Sequence, residues 1–536
     1  MTITGWFIFF LIIQVLHFLG TWKLYVKAGR KAWEAAVPIY NGVVLMQIIN
    51  RPKWWVILLF IPIINLLMFP VIWVETIRSF GRNKRLDTLL VILTLGFYIY
   101  YVNYVLDVEY IKDRSLQPRT SAGEWISSIT FAIIAATLVH TYFMQPYTIP
   151  SSSLEKSLLI GDFLFVSKFH YGARVPMTTV AMPMVHDTIP AIPVPFTKIK
   201  LTKKFKSYLF NDDISKKETS LANKLQLPYL RLPGFQKIER NSIVVFNQPA
   251  DTLLDMNDFH PDRNYYKPID KKTNLVKRCV AIAGDSLEIR DGYIYINGKR
   301  TKYNQRAKIQ YNFYVNTQGQ SINQTSLINR YNVREGGQMQ DGNYRLTLTD
   351  KEAAKIAKNP AVKGITKSMQ PKGFDGGVFP HIPSLGWNTD NFGPIYIPKK
   401  GETVKLDKNS LPFYKRIIRE YENNNLIING DEILINGKDV DSYTFKQDYY
   451  WMMGDNRQNS LDARAWGYVP FNHVVGKPVL IWFSWETNGK GFGKVRWERL
   501  FTTVGGSGEP VSYFYYFLGA LGLWFAYDFF RKRKKA

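Results

Sequence analysis

Three serines stand in a row at Ser151, Ser152 and Ser153, within the stretch QPYTIPSSSLEKSLLIGDFLFVSKFHYGARVP that covers residues 145–176. They lie between Pro150 and Leu154, just beyond an apolar run at 125–144, where a membrane helix would leave the bilayer. A serine hydroxyl is a poor nucleophile at neutral pH, so serine chemistry requires a base. No G-x-S-x-G elbow is present, and no histidine sits in a triad context. Lysine is the other candidate. Lys277, in NLVKRCVAIAGD at 274–285, has Leu275, Val276, Val280 and Ile282 around it, a β-like apolar setting. Burial disfavours an ammonium and lowers its pKa, so such a lysine can be neutral near pH 7 and accept a proton. The chemistry these stretches allow is that of a Ser-Lys dyad working at a membrane surface.

The elements that must hold such a pair read as mainly β. From 145 to 508 the chain is rich in β-branched and aromatic residues, with frequent Asn-Gly turns. YIYINGK at 293–299 and EILINGK at 432–438 alternate and then turn at Asn-Gly, which predicts two hairpins.

Apolar runs flank this region. Residues 5–19 are followed by Lys23, Lys27, Arg30 and Lys31, the reverse of the charge order in a cleavable signal peptide, so a retained membrane helix is expected. Residues 35–49 are too short and broken to span and read as interfacial. Residues 54–74 are long enough to cross, with Pro62 and Pro70 as points of kinking or re-entry. Residues 88–106 and 125–144 are further candidate spans. At the carboxyl end, an aromatic-rich span at 513–530 precedes Arg531, Lys532, Arg533, Lys534 and Lys535. The preference of basic residues for the cytoplasm puts that tail inside and the preceding domain outside. The same preference meets a conflict at Arg78, Arg82, Lys84 and Arg85. If 88–106 and 125–144 both cross, that cluster lies outside, so either one segment re-enters or the rule fails here.

Four blocks, in order, resemble the type I signal peptidases, membrane-anchored serine proteases that remove signal peptides from exported proteins. Residues 150–162, PSSSLEKSLLIGD, are similar to the family pattern P-S-x-S-M-x-P-T-L-x-x-G-D, with Leu154, Lys156 and Ser157 replacing Met, Pro and Thr. Arg240 to Phe246 resembles R-G-D-I-V-V-F, with Asn241 and Ser242 for Gly-Asp. Lys277-Arg278 through Gly284-Asp285 resembles K-R-x-x-x-x-x-G-D. WMMGDNRQNSLDARAWGYVP at 451–470 resembles M-G-D-N-R-x-N-S-x-D-S-R-x-W-G-x-V-P, with Ala463 where Ser is usual.

The resemblance implies Ser153 as nucleophile and Lys277 as general base, with Ser151 lending its hydroxyl to an oxyanion hole beside the Ser153 N–H. It implies that Ser460 orients the lysine and that Asp462 and Arg464 form a supporting ion pair. It also implies shallow pockets for small substrate residues, lined by Ile149, Pro150, Leu154, Leu158, Leu164 and Val276. The implied fold is a mainly β extracytoplasmic catalytic domain of coiled sheets, with transmembrane helices at both ends. Residues 5–84 resemble a small membrane module that precedes signal peptidases in Bacteroidetes-type bacteria.

The chain has 536 residues, a formal net charge of +26 and 46% hydrophobic residues, the last gathered in runs. A basic balance suits nucleic acid, an anionic membrane or a basic extracytoplasmic protein. No zinc-finger spacing or RNA-binding motif is present, so no nucleic-acid partner is expected. The seven histidines show no metal-site spacing, and H-E-x-x-H and G-K-[ST] are missing, so neither metal nor cofactor is expected. Cys279, the single cysteine, excludes an internal disulfide and reads as a small buried strand side chain.

The expected organisation is a membrane region at 1–144 with about four transmembrane or re-entrant helices. An extracytoplasmic protease domain follows at 145–508, with insertions at about 177–237 and 303–444, then a helix at 511–530 and a basic tail at 531–536. The implied partners are signal-peptide-bearing preproteins and the lipid bilayer, with the export machinery as functional neighbour. The implied place is the inner membrane, multi-pass, with the catalytic domain on the periplasmic side. The alternative is a catalytically silent membrane-anchored β-domain that binds exported proteins; intact Ser153 and Lys277 argue against it.

Overall fold

The computed structural model describes residues 2–118, 120–182, 184–186, 188–189, 205–206, 224–251, 267–486, 491–506 and 508–533. Most of the insertion expected at 177–237, with its proline-rich and lysine-rich stretches, lies outside the described residues, as do Lys534 and Lys535. The chain divides into two compact units. One holds 1–143, 174–231 and 252–271, and the other 144–173, 232–251 and 272–536.

The first unit is helical: α1 (Ile3–Lys27), α2 (Tyr40–Ile48), α3 (Trp55–Leu58), α4 (Ile64–Ser79), α5 (Arg85–Leu93), α6 (Tyr98–Tyr104) and α7 (Ser121–Leu138). Among the described residues, two helices are long and apolar enough to cross a membrane, Ile3–Lys27 and Ser121–Phe143. The run at 54–74 is not one helix. Pro62 lacks an N–H and Ile63 takes φ +70, so α3 ends at Leu58 and α4 restarts at Ile64. The run at 88–106 is also broken: Leu95 and Gly96 both take positive φ, and α5 and α6 meet at 119°. The chain then returns to the end of α4, where the Ile111 N–H donates to Ser79 O at 2.9 Å. Leu24, Met46, Ile64, Met68, Ile72, Val91 and Val102 form the core of this unit.

The second unit contains the expected mainly β domain. Its main sheet uses β1 (Met144–Thr148), β2 (Asp162–Ser167), β3 (Ile243–Asn247), β4 (Asn274–Ala281), β5 (Tyr449–Met453), β6 (Val469–Pro470), β7 (Val474–Ser484) and β8 (Thr502–Thr503). The order is β1-β2-β7-β3-β4-β5-β6, with β8 on β7, and neighbours run antiparallel. Register shifts between Phe163 and Leu164 and between Phe165 and Val166 bend β2 against the long β7.

Both expected hairpins form. Ile296 pairs with Lys299 and Ile435 with Lys438. Asn297, Gly298, Asn436 and Gly437 carry the positive φ that such two-residue turns need. The region at 303–444 has two parts. Strands Gln310–Asn316, Gly336–Gln338, Tyr344–Thr349 and Gly364–Lys367 make a separate sheet whose core includes Phe313, Val315, Leu346, Leu348 and Ile356. Phe379, Phe392, Tyr414 and Phe445 instead share a core with Trp451 and Tyr468 of the last block.

Within the sheet around Gln310–Asn316, helix α8 (Asp350–Ile356) opens on a Thr349 cap with Glu352 completing the box. A four-residue helix, α9 (Ala463–Trp466), follows β5. The carboxyl helix α10 (Phe514–Arg533) forms with no buried residue, but tyrosines and Asp528 dilute it, and it is not among the two helices apolar enough to span.

Candidate active site

The serine turn is a loop held shut at its base. The Ile149 N–H donates to Asp162 O at 2.9 Å and the Gly161 N–H to Ile149 O at 2.9 Å. Gly161 takes φ +85, and a Cβ there would lie 2.0 Å from Trp485 O, so only glycine fits. Inside the loop, Ser152–Leu154 make one 3-10 turn that buries Ser153 and leaves Ser151 exposed. Lys156, where the family pattern has proline, takes φ +67, which a proline ring held near −65° cannot adopt. Its ammonium donates to Glu352 Oε2 at 2.6 Å, tying the serine turn to α8.

Lys277 projects from β4, against which the serine turn packs. Val244 of β3 lies opposite Lys277, and Met453 of β5 lies opposite Arg278, which brings Gly454 alongside the lysine. A Cβ on Gly454 would be 2.3 Å from Ser460 Oγ and 2.5 Å from Ser153 O. Absence of a side chain there lets the serine turn, Ser460 and the lysine strand converge. Asn456 fixes the turn from the same side: its N–H donates to Ser153 O at 3.1 Å and its Nδ2 to Ser152 O at 3.2 Å.

The lysine is 4% exposed. Burial pulls its pKa down to about 8, with nearby Arg464 acting in the same direction and Asp462 and Asp455 opposing. Ser460 Oγ is buried without a hydrogen-bond partner. Among the described residues, no hydrogen bond joins Ser153 Oγ, Lys277 Nζ and Ser460 Oγ to one another. The expected Ser460–lysine contact is thus not formed, although both residues reach the same corner.

Around this corner, three Gly-Asp corners repeat one device. In each, the aspartate meets an arginine from elsewhere: Asp162 with Arg499 at 2.5 Å, Asp285 with Arg240 at 2.5 Å, and Asp455 with Arg278 at 2.6 Å. Asp455 also accepts from Ser157 Oγ at 2.6 Å, which links the serine loop to β4 and β5. The expected Asp462–Arg464 pair is present at 2.9 Å, and Asp462 Oδ2 accepts from the Gly454 N–H at 3.0 Å. Sequence reasoning named Asp462 and Arg464 but missed the Arg278–Asp455 and Lys156–Glu352 pairs. The recurrence of Gly-Asp in three blocks was the available signal for the first; nothing local marks Glu352.

Ile149, Leu154, Leu158 and Leu164 fall into one buried apolar cluster with Val245 and Ile481, and Val276 lies at its margin. Pro150 is exposed. A further cavity of about 640 Å³ lies between the separate sheet and the last block, lined by Asn312, Glu335, Arg345 and Asn459 among others. Glu335 accepts from Asn456 and Asn459 Nδ2, both at 2.7 Å. Among the described residues, no group of three or more His, Cys, Asp or Glu side chains could hold a metal ion.

Apolar helices that lead into an antiparallel domain with a buried serine turn on a lysine-bearing strand describe a membrane-attached hydrolase. Residues 122–350 and 397–485 match the family described as signal peptidase, peptidase S26. Residues 33–113 match a separate family of unknown function, DUF5684. The chain is 26% identical over 402 residues to signal peptidase I of Helicobacter pylori, covering 72% of this chain and 94% of that one. It is 21% identical over 402 residues to signal peptidase I of Buchnera aphidicola from Acyrthosiphon pisum, covering 72% and 86%. Signal peptidase I of Haemophilus influenzae is 21% identical over 400 residues, covering 73% and 79%.

The chain belongs to the peptidase S26 family of signal peptidases. It is a membrane-bound serine endopeptidase whose substrates are signal-peptide-bearing preproteins.

Proposed function

We propose that Ser153 is the nucleophile and Lys277 the general base of this peptidase. The observation that carries the assignment is a buried amine with its pKa lowered to about 8, on the strand against which the serine turn packs. Neutral Lys277 takes the Ser153 hydroxyl proton as Oγ bonds to the scissile carbonyl carbon. The Ser153 N–H and Ser151 hydroxyl donate to the oxyanion, and the exposed Ser151 hydroxyl has no capping bond to give up. Protonated Lys277 then gives its proton to the leaving amine, and the C–N bond breaks, leaving an ester on Ser153. A water molecule, deprotonated by Lys277, attacks that ester and frees the signal peptide's new carboxylate. Substrate entry brings Oγ and Nζ into hydrogen-bond reach, since such contacts often tighten only in the Michaelis complex. Ser460 meets the amine as an acceptor, and the Asp462–Arg464 pair holds the Gly454 strand beside it. Val276 and the margin of the Ile149, Leu154, Leu158 and Leu164 cluster, with Pro150 at its rim, receive the small residues before the cut.

The sheet domain at 145–508 works on the periplasmic face of the inner membrane, beside the export machinery, in a multi-pass chain with anchors at both ends. The bend between α5 and α6 supports this orientation. A re-entrant 88–106 leaves Arg78, Arg82, Lys84 and Arg85 on the same side as residues 107–118, so α7 alone carries the chain outward. The test is detergent-solubilised protein incubated with a preprotein, beside Ser153→Ala and Lys277→Ala. Both variants should fail to cut; cleavage at the parent rate by either one removes that residue from the mechanism.

A further inference from the structure

We propose that the helical amino-terminal unit binds the phosphate group of an anionic phospholipid, through Arg51, Arg78 and Arg114 gathered on Glu75. Glu75 and Arg78 lie in the last turn of α4, Arg51 follows α2, and Arg114 comes from the segment after α6. Glu75 Oε2 accepts from Arg51 Nη2 at 3.1 Å and from Arg114 Nη2 at 2.5 Å. Arg78 Nη1 stands 3.9 Å from Glu75 Oε1 and makes no hydrogen bond to it.

One carboxylate thus faces three guanidinium groups. Elsewhere in this unit, among the described residues, the ion pairs are one to one: Arg82 with Asp87, Lys27 with Asp107, and Arg30 with Glu34. A guanidinium cannot shed its proton to relieve such a surplus. The neighbouring acids Glu109 and Asp113 are exposed and form no ion pair among the described residues.

A second observation points to a missing acceptor. Arg114 has a side chain only 8% exposed, and its Nε is buried with no hydrogen-bond partner. An orphaned charged donor of this kind is costly unless an acceptor reaches it. A phosphate carries several acceptor oxygens and the negative charge that the cluster lacks. The source is lipid because the unit that holds the cluster also holds helices long and apolar enough to cross a membrane. Trp33 and Trp54 of the same unit are 54% and 58% exposed, the disposition of interfacial aromatics. Arg51 sits over the Trp55 ring at 5.3 Å, and α1 and α7 of the same unit are long enough to cross. Basic residues at a cytoplasmic boundary meet a leaflet rich in anionic headgroups.

The test uses the full-length protein in discs of phosphatidylcholine, alone or mixed with phosphatidylglycerol, counting retained lipids by native mass spectrometry beside Arg78→Gln and Arg51→Gln. The parent should retain phosphatidylglycerol in preference to phosphatidylcholine. Each variant should weaken that retention about tenfold, as expected for one charge-assisted hydrogen bond. Arg78→Gln breaks no bond to Glu75, so its melting temperature in phosphatidylcholine should match the parent and separate binding from folding. Equal retention of the two lipids by the parent, or undiminished phosphatidylglycerol retention by Arg78→Gln, overturns the proposal. So does saturation of the site by inorganic phosphate alone in phosphatidylcholine discs, which would make it a soluble-anion site.

Discussion

Four buried carboxylates of the sheet domain are each matched to an arginine, whereas Ser460 Oγ at the reactive corner is buried with nothing to bond. Asp162, Asp285, Asp455 and Asp462 each hold an arginine within 2.5–2.9 Å. These pairs sit at strand ends and loop bases, and they satisfy the desolvated carboxylates that the turns require. A few residues away, Ser460 Oγ has no partner and burial lowers the Lys277 pKa to about 8. The closed set fixes backbone; the open set keeps its lone pairs and protons available.

The largest effect should come from the open set. Lys277→Met removes the proposed base and should lower cleavage at least about 10⁴-fold in a preprotein assay. The same change should leave stability equal or higher at pH 7. A folded pKa of about 8 against an ordinary lysine value of 10.5 means that folding below pH 8 carries an unfavourable contribution of about 3 kcal/mol. That contribution disappears as pH rises from about 8 to about 10.5, so the stability difference between parent and variant should shrink across that window in chemical denaturation. For the parent, kcat/KM should rise about tenfold per pH unit up to about pH 8 and then level. A profile with no inflection between pH 7 and 9 would place the base elsewhere.

The closed set should respond in the opposite sense. Asp455→Asn leaves Arg278 buried without its counter-charge and should destabilise the domain by about 3–5 kcal/mol. Protein that does fold should show a pH profile shifted to lower pH, because Asp455 opposes the lowering of the Lys277 pKa. Ser460→Ala deletes a hydroxyl with nothing bonded to it, so the melting temperature should hold. Cleavage should drop by about 10- to 100-fold if the hydroxyl meets the amine in the substrate complex. A variant that melts early but cuts normally would move Ser460 into the closed set.

Much of this division was legible in residue order. The serine turn, Lys277, Ser460 and the Asp462–Arg464 pair lie in compact blocks that carry the resemblance to the family, and the Asn-Gly hairpins announce their turns. Partners far apart in the chain were not legible. Arg499 reaches Asp162 and Glu352 reaches Lys156 only because sheet topology brings them together. Apolar composition at 54–74 and 88–106 left spans or re-entrant segments open, and positive φ at Ile63, Leu95 and Gly96 interrupts the helix in both. Leu158 and Leu164, read as pocket lining, are each at most 1% exposed.

The smallest expected effect tests whether the boundary between the two sets is as sharp as the hydrogen bonds suggest. Lys156 belongs to the serine turn but is paired like a member of the closed set, with Glu352 at 2.6 Å and side chains 4% and 15% exposed. Burial lowers the Lys156 pKa and Glu352 counters that. Glu352→Gln keeps the α8 cap largely intact but removes the counter-charge, and should cost about 1–3 kcal/mol of stability. If the pair also holds the turn in register with Lys277, kcat should fall several-fold with KM unchanged. Lys156→Met combined with Glu352→Gln, which removes both buried charges, should then recover stability more than rate. Equal recovery of both would assign the pair to folding alone.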